Sequence, residues 1–149
     1  MRTFSAALGV MIMFSSVLSA QQGGVSYEQL VRASEDPGNW LMHSGQYHSQ
    51  RFSSLDEINR ANVSRLRLKW VRQLPTLGQV QTSPLVVDGV MYLTTPENEV
   101  YALDASTGNV FWTYQHDLSD TLTLCCSKQS RGVGILGDQL YLTTMDAHL

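Results

Sequence analysis

The stretch DGVMYLTT occupies residues 88–95 and recurs as GDQLYLTT at residues 137–144, an offset of 49 residues (137 − 88). In both copies a Gly/Asp pair, which favours a tight turn, precedes an apolar segment of β type. A repeat of about 40 to 50 residues is typical of β-propellers, in which each blade is a small antiparallel sheet. The repeat therefore predicts an all-β propeller rather than one half of a sandwich.

Four short strands are predicted around the first copy of the repeat. Two of them, residues 84–87 and 90–95, flank the Asp88-Gly89 turn, and residues 99–104 and 109–115 form the next two. We take residues 84–115 as the first blade. The offset maps Val100 onto Leu149, so the second blade is expected to be truncated and the ring of blades incomplete.

Residues 21–75 are interpreted as an N-terminal extension and lead-in segment, and residues 76–149 as the incomplete propeller. Within the extension, Ser26 and Gln29 predict a capped helix over residues 25–33, which Asp36-Pro37-Gly38 ends. We also predict an irregular loop at residues 39–54, one helical turn at residues 62–65 and a strand at residues 68–74.

Residues 1–20, MRTFSAALGVMIMFSSVLSA, have the features of a secretory signal peptide. An early cation, Arg2, precedes an apolar run, and small residues end the segment, so cleavage is predicted after Ala20. The alternative is a membrane anchor, but a spanning helix needs about 20 apolar residues and a serine pair at positions 15 and 16 interrupts this run. We expect a periplasmic protein, with membrane association left open.

The composition is that of an ordinary globular domain. The 149 residues are 43% hydrophobic and 15% charged, with a net charge of -3. Lys and Arg number 10 against 13 Asp and Glu, so no basic excess exists to neutralise a phosphate backbone. We therefore expect no nucleic-acid partner.

Residues 102–112, ALDASTGNVFW, form a turn motif of the pattern Ala-x-Asp-x-x-Thr-Gly-x-x-x-Trp. Asp104 and Thr107 can accept hydrogen bonds from turn amides, Gly108 permits the tight reversal, and Trp112 offers a flat apolar surface to the next blade. An ordinary hairpin with a core tryptophan would share these features. The accompanying repeat favours a docking role for the tryptophan.

Cys125 and Cys126 are the two cysteines of the chain and are adjacent. Neighbouring Cα atoms lie about 3.8 Å apart, below the usual disulfide range of about 4.4 to 6.8 Å, so a bond between them closes a strained small ring. The alternatives are two buried thiols, bridges to another chain, or pairing with cysteines beyond Leu149. A metal site is poorly supported, because an adjacent pair lacks the C-x-x-C separation and His116 and His148 show no ligand spacing.

Together these features resemble the pyrroloquinoline quinone (PQQ)-dependent alcohol dehydrogenase family, which includes methanol and ethanol dehydrogenases. The resemblance covers residues 39–149. The stretch NWLMHSGQYHSQRFSSLDEINRANVSRLRLKW at residues 39–70 is similar to the family's lead-in segment, and residues 82–108 to its first blade. The turn motif resembles the tryptophan-docking motif that locks neighbouring blades in this family.

The resemblance implies a PQQ site. In the family a vicinal disulfide packs against one face of the planar quinone, and this role falls on Cys125 and Cys126. An arginine a few residues later hydrogen-bonds the reactive quinone oxygens, which implies the same for Arg131. Gln81 stands where the family has a glutamate, so it keeps the hydrogen-bonding capacity without the charge. Ser130 replaces a family asparagine, and we expect no cofactor contact from it.

The implied reaction is the oxidation of a primary alcohol by hydride transfer to PQQ. In the family a Ca²⁺ or lanthanide ion polarises the quinone, an aspartate takes the alcohol proton, and cytochrome c or another acceptor receives the electrons. These metal ligands and this aspartate lie on later blades. We therefore assign no catalytic base and no metal ligand in this chain, and interpret four of its aspartates as turn and loop residues: Asp104, Asp117, Asp120 and Asp146.

The sequence is thus interpreted as part of a periplasmic PQQ-dependent alcohol dehydrogenase, inactive by itself. One alternative is a non-catalytic propeller with docked tryptophans that serves as an envelope assembly or scaffold protein. Another is a sugar dehydrogenase of the same group of quinoproteins. The cysteine pair ahead of Arg131 favours the alcohol-oxidising branch, by resemblance.

Overall fold

A computed structural model of the chain describes residues 24–119, 121–124 and 128–149. The predicted signal peptide, Asp120 and the pair Cys125-Cys126 lie outside these ranges. Within them, strands dominate and helices are short. The elements are α1 (Tyr27–Val31), two 3₁₀ turns (Ala33–Glu35 and Val63–Arg65), β1 (Leu85–Val87), β2 (Val90–Thr94), β3 (Glu99–Asp104), β4 (Val110–Gln115), β5 (Gly134–Leu136) and β6 (Gln139–Tyr141).

The first four strands form one antiparallel sheet in the order β1-β2-β3-β4. Asp88 and Gly89 connect β1 to β2 with φ angles of 49° and 81°, the left-handed pair that a two-residue hairpin turn requires. Buried apolar residues concentrate in the central strand β3 and at the start of β1: Val100, Tyr101, Ala102, Leu103 and Leu85. The sheet therefore carries its own core, as a propeller blade does.

The turn from β3 to β4 is built by the predicted motif. The Asp104 carboxylate accepts hydrogen bonds from the backbone amides of Ser106 and Thr107, at 2.7 and 3.2 Å. Hydrogen bonding by Ser106, and then by Thr107, lowers the pKa of the Asp104 carboxyl. Gly108 follows with a φ of 74°, which reverses the chain into β4.

The second hairpin repeats the register of the first. Val86 pairs with Met91 in the first hairpin, and Ile135 pairs with Leu140 in the second, so both partners are displaced by 49 residues. The following turn repeats as well, because Thr95 donates to the Glu99 carbonyl and Thr144 donates to the His148 carbonyl, both at 3.0 Å. The predicted repeat is confirmed as a structural one. The strands of the described ranges do not close a ring.

The N-terminal extension joins the two hairpins. Val25 pairs with Gly137 and Trp40 pairs with Val86, so the extension contacts the first strand of one hairpin and the turn of the other. Val25, Ala33 and Leu41 of the extension form a buried apolar cluster, against which Val87 and Ile135 of the two hairpins pack. No helix within the described residues has the length and apolar character needed to cross a membrane.

Most local predictions for the extension are confirmed. Ser26 accepts from the Gln29 amide at 3.2 Å and the Gln29 side chain accepts from the Ser26 amide at 2.8 Å, which is the predicted capping box. The helical turn near residues 62–65 is present as a 3₁₀ turn, and residues 39–54 are irregular. The domain boundaries proposed from the sequence stay a prediction.

The predicted strand at residues 68–74 is wrong. This segment has no pairing partner among the described strands, and the side chains of Leu68 and Val71 are 81% and 75% exposed. Trp70, within this segment, is held through its side chain instead, because the indole N–H donates to the Ala105 carbonyl at 3.1 Å. Side-chain anchoring thus replaces strand pairing here.

Trp70 covers the turn between β3 and β4. A Cβ built on Gly108 would lie 2.6 Å from Trp70 Cε3, so the indole is in direct contact with the glycine backbone. Trp112, which we expected to serve the next blade, lies with its ring centroid 6.0 Å from that of Tyr92 and lines a cavity together with Leu140 of β6. The tryptophan that docks on this motif is therefore Trp70, from the lead-in segment.

Candidate functional site

Two segments that precede equivalent strands lie side by side. Residues 81–84 lead into β1, residues 128–132 lead towards β5, and the Ser83 amide donates to the Arg131 carbonyl at 3.1 Å. Gly132 makes this approach possible, because a Cβ at that position would lie 2.9 Å from the Ser83 carbonyl oxygen. The contact places Gln81 and Arg131, both predicted cofactor ligands, on neighbouring segments.

Three hydroxyl groups reinforce this contact. Ser130 Oγ donates to Thr94 Oγ1 at 2.8 Å, and Thr94 Oγ1 donates to Thr82 Oγ1 at 3.2 Å. Thr82 Oγ1 also accepts from the Thr94 amide at 3.1 Å. Thr94 and Ser130 are buried, so each hydroxyl exchanges water for a protein partner. The chain of hydroxyls fixes both segments to the end of β2.

The two predicted ligands remain open to solvent. Arg131 is exposed and, among the described residues, its guanidinium is in no ion pair. Gln81 is partly exposed, and its side-chain amide makes one long contact, a donation to Gln79 Oε1 at 3.3 Å. A fixed backbone with available N–H donors is an arrangement that can bind an acceptor-rich ligand. Cys125 and Cys126, the other two predicted ligands, lie outside the described residues.

Removal of the Ser130 hydroxyl is predicted to loosen this arrangement. Ser130→Ala leaves the buried Thr94 oxygen without its donor, which costs about 1 to 3 kcal/mol of unfolding free energy. The matched control is Ser64→Ala, at an exposed serine, with an expected change within about 0.5 kcal/mol. Urea unfolding of both variants measures the difference. Equal stabilities would show that the hydroxyl chain does not hold the two segments.

A second polar cluster lies between the end of β4 and the last turn of the chain. The side chains of His116, Asp146 and His148 converge there, with one ligand atom from each within 4.8 Å of the others. The spacing of the two histidines gave no sign of this arrangement. It arises because the repeat brings the turn after β6 alongside the segment that leaves β4.

Sequence reasoning missed several residues that position the site. Trp70 lies in a segment predicted as a strand, although it is also the last residue of the stretch 39–70 that is similar to the family's lead-in segment. Thr82 carried no signal, and Thr94 was noted only as part of the repeat, because threonines are common in β segments. Gly132 was given no role, because its φ of 119° is visible only in the structure.

Three features together define the β-propeller class. They are a four-stranded antiparallel meander, its repeat at the same register, and a tryptophan docked on the connecting turn. The family model described as "PQQ: Glucose/ethanol/alcohol dehydrogenase, beta-propeller domain" matches residues 40–149. The chain belongs to this family.

Similar proteins carry related names. The chain is 37% identical over 139 residues to the alcohol dehydrogenase (quinone) dehydrogenase subunit of Gluconacetobacter polyoxogenes, covering 91% of this chain and 19% of that protein. It is similar in structure to the quinohemoprotein alcohol dehydrogenase ADHIIG of Pseudomonas putida HK5, with a TM-score of 0.73 and 36% identity. The similarity covers 82% of this chain and 18% of that one.

A europium-containing methanol dehydrogenase is also similar, with a TM-score of 0.68, 33% identity, and coverage of 80% of this chain and 22% of that one. The chain thus spans about a fifth of the length of the relatives that it matches.

Proposed function

We propose that this chain is the N-terminal part of a periplasmic PQQ-dependent alcohol dehydrogenase, which oxidises a primary alcohol by hydride transfer to PQQ. The observation that carries the proposal is the hydrogen bond between Ser83 and Arg131, which aligns the segments of Gln81 and Arg131. Family membership and the names of the relatives support it. Because the chain spans about a fifth of those relatives, the activity is proposed for the longer protein.

The residues present fit a planar quinone. Arg131 offers a rigid, permanently charged fork of N–H donors, which suits the oxygen atoms of a quinone. Gln81 offers an amide that donates and accepts without adding a negative charge. Both side chains are accessible, and both backbones are fixed by the hydroxyl chain. When bound, PQQ supplies the two-electron acceptor; the contribution proposed for this chain is to bind and orient it.

The metal ion and the electron acceptor belong to the same proposal. A Ca²⁺ or lanthanide ion is proposed beside the quinone, with ligands from outside this chain, and one neighbouring structure is of a europium-containing enzyme. Cytochrome c or another acceptor is proposed to receive the electrons. Export to the periplasm rests on residues 1–20 and is tested by N-terminal sequencing of the protein recovered from that compartment, where a chain beginning at Gln21 is expected.

Cys125 and Cys126 are proposed to form a vicinal disulfide that packs against one face of PQQ. We predict that the exported, unreduced protein takes up no alkylating reagent, and that it takes up two equivalents after reduction, because the chain has two cysteines. Intact mass spectrometry measures both states, and a variant with both cysteines changed to serine is the control. Alkylation of both residues without reductant would disprove the ring.

A chimera tests the function directly. Residues 40–149 replace the matching segment of the Pseudomonas putida quinohemoprotein alcohol dehydrogenase, whose remaining length supplies the other blades. We expect the chimera, loaded with PQQ and Ca²⁺, to reduce a dye in the presence of a primary alcohol. Arg131→Ala should lower this rate at least about 100-fold, the usual cost of a lost electrostatic contact in an active site. A folded chimera without alcohol-dependent activity would contradict the proposal.

A further inference from the structure

The cluster of His116, Asp146 and His148 has the composition of a zinc site. His116 Nε2 lies 2.9 and 3.1 Å from the two carboxylate oxygens of Asp146, and His148 Nδ1 lies 3.2 Å from one of them. The two imidazole rings are 5.5 Å apart between centroids. Two nitrogens and a carboxylate oxygen from three chain positions therefore point into one small volume.

The separations suit a tetrahedral ion. Ligand atoms about 2.0 to 2.2 Å from a tetrahedral zinc lie about 3.4 Å from one another. The Asp146 carboxylate lies 2.9 and 3.2 Å from the two histidine nitrogens, within about half an ångström of that value. All three ligand atoms lie within 4.8 Å of one another.

Backbone contacts hold the three ligands in place. The His116 amide donates to the Asn98 carbonyl at 3.3 Å, at the end of β4, and the Thr144 amide donates to the His148 carbonyl at 3.0 Å. Thr144 Oγ1 also donates to the Asp146 carboxylate. Contacts from Thr144, His116 and His148 therefore orient the Asp146 carboxylate towards the centre of the cluster.

The equivalent turn of the first blade provides an internal comparison. At the offset of 49 residues, Glu97 and Glu99 occupy the places of Asp146 and His148. In the first turn the Glu97 carboxylate accepts a hydrogen bond from Thr76 Oγ1 at 2.9 Å. In the second turn the Asp146 carboxylate contacts His116 instead. The first turn thus keeps the acid but has no imidazole. The two imidazoles, one from the segment after β4 and one from the second turn, are therefore not a feature of the repeat.

The two histidines of the cluster border a cavity. His116, Thr144 and His148 line a cavity of about 500 Å³, whose other walls include the apolar side chains of Trp112 and Leu142. Zinc accepts this mixture of two imidazoles, one carboxylate and one water, whereas calcium and magnesium prefer oxygen ligands throughout. We propose that His116, Asp146 and His148 bind one Zn²⁺ ion, which links the end of β4 to the last turn of the second hairpin.

The test is a titration of the metal-free chain with Zn²⁺ alone, followed by competition with a chromophoric chelator. We expect one equivalent to bind, and His148→Ala or His116→Ala to weaken binding at least about 100-fold, because even outer contacts of metal ligands are worth about 10- to 100-fold. The His148 side chain is 69% exposed, so its removal leaves the fold intact. The matched control replaces the other two histidines, His43 and His48, and should bind zinc normally.

A variant that lacks both cysteines shows whether the zinc ligands are histidines or cysteines. The titration is repeated in the chain with Cys125 and Cys126 changed to serine, which should bind one zinc ion with the same affinity. Zinc binding that disappears in this background, or that survives both single histidine changes, would overturn the proposal. Failure to bind zinc at all would leave a hydrogen-bonded His-Asp-His group and would also overturn it. Neither result depends on PQQ or on alcohol oxidation.

Discussion

Gly108→Ala is expected to lower the unfolding free energy by about 3 kcal/mol, of which about 1 to 2 kcal/mol come from the left-handed backbone and the remainder from overpacking. The φ of Gly108 is 74°, and the added methyl group would lie 2.6 Å from Trp70 Cε3. The indole would have to leave the turn, and its hydrogen bond to the Ala105 carbonyl would be lost. Urea unfolding followed by tryptophan fluorescence measures the change.

Gly89→Ala is the matched control for this prediction. Gly89 has a similar φ of 81°, but nothing lies within 4 Å of the position of its Cβ. We expect a loss of about 1 kcal/mol from backbone strain alone. The difference between the two variants isolates the contact with Trp70. Equal losses would mean that docking by Trp70 contributes nothing to the stability of the blade.

Gly132→Ala is expected to cost about 4 kcal/mol and to open the candidate site, because strained backbone and overpacking each contribute about 1 to 3 kcal/mol. The φ of 119° is a region that glycine occupies almost alone, and the new Cβ would lie 2.9 Å from the Ser83 carbonyl oxygen. A backbone atom cannot rotate away as a side chain does. The segments of Gln81 and Arg131 would therefore separate.

Hydrogen exchange distinguishes this local effect from general destabilisation. The Ser83 amide, which donates to the Arg131 carbonyl, should lose at least about 10-fold of its protection in Gly132→Ala, since an opening free energy lowered by about 1.4 kcal/mol is a tenfold change. Gly137→Ala is the control, because Gly137 has a φ of 63° and no neighbour within 4 Å of its Cβ position. This variant should leave the Ser83 amide protected. Unchanged protection in Gly132→Ala would contradict the proposed contact.

The sequence predicted the features that depend on local turns. The Asp88-Gly89 turn, the Asp104 turn motif and the Ser26 cap each use residues whose backbone preferences act over a few positions. The strands between them followed, because short turns leave one possible antiparallel pairing. The 49-residue repeat then extended the assignment to the second hairpin, and the structure shows the same register there.

Features that depend on distant contacts could not be predicted in this way. Residues 68–74 contain four apolar side chains, but an extended segment pairs only where an edge strand is free, and this one is fixed by Trp70 instead. In the hydroxyl chain, Ser130 is 36 positions from Thr94 in the sequence, and Thr94 is 12 positions from Thr82. In the polar cluster, His116 is 30 positions from Asp146. No local preference encodes such distances.

The candidate site was predicted in part by resemblance. Gln81 and Arg131 were predicted from the family pattern, and in the structure the Ser83 amide joins their two segments by its hydrogen bond to the Arg131 carbonyl. Their contact with a cofactor stays a prediction, as does the pairing of Cys125 with Cys126. Ser130, which departs from the family pattern, has its hydroxyl committed to Thr94 within the protein.

The most direct test of the proposed quinone site is the PQQ content of the chimera that carries residues 40–149. After reconstitution with PQQ and Ca²⁺ and removal of the excess, the protein is denatured and the released quinone is measured by absorbance. We predict one PQQ per protein for the native segment, and a large loss when Cys125 and Cys126 are both changed to serine. A folded chimera that retains no PQQ, or a serine variant that retains all of it, would contradict the binding of quinone by these residues.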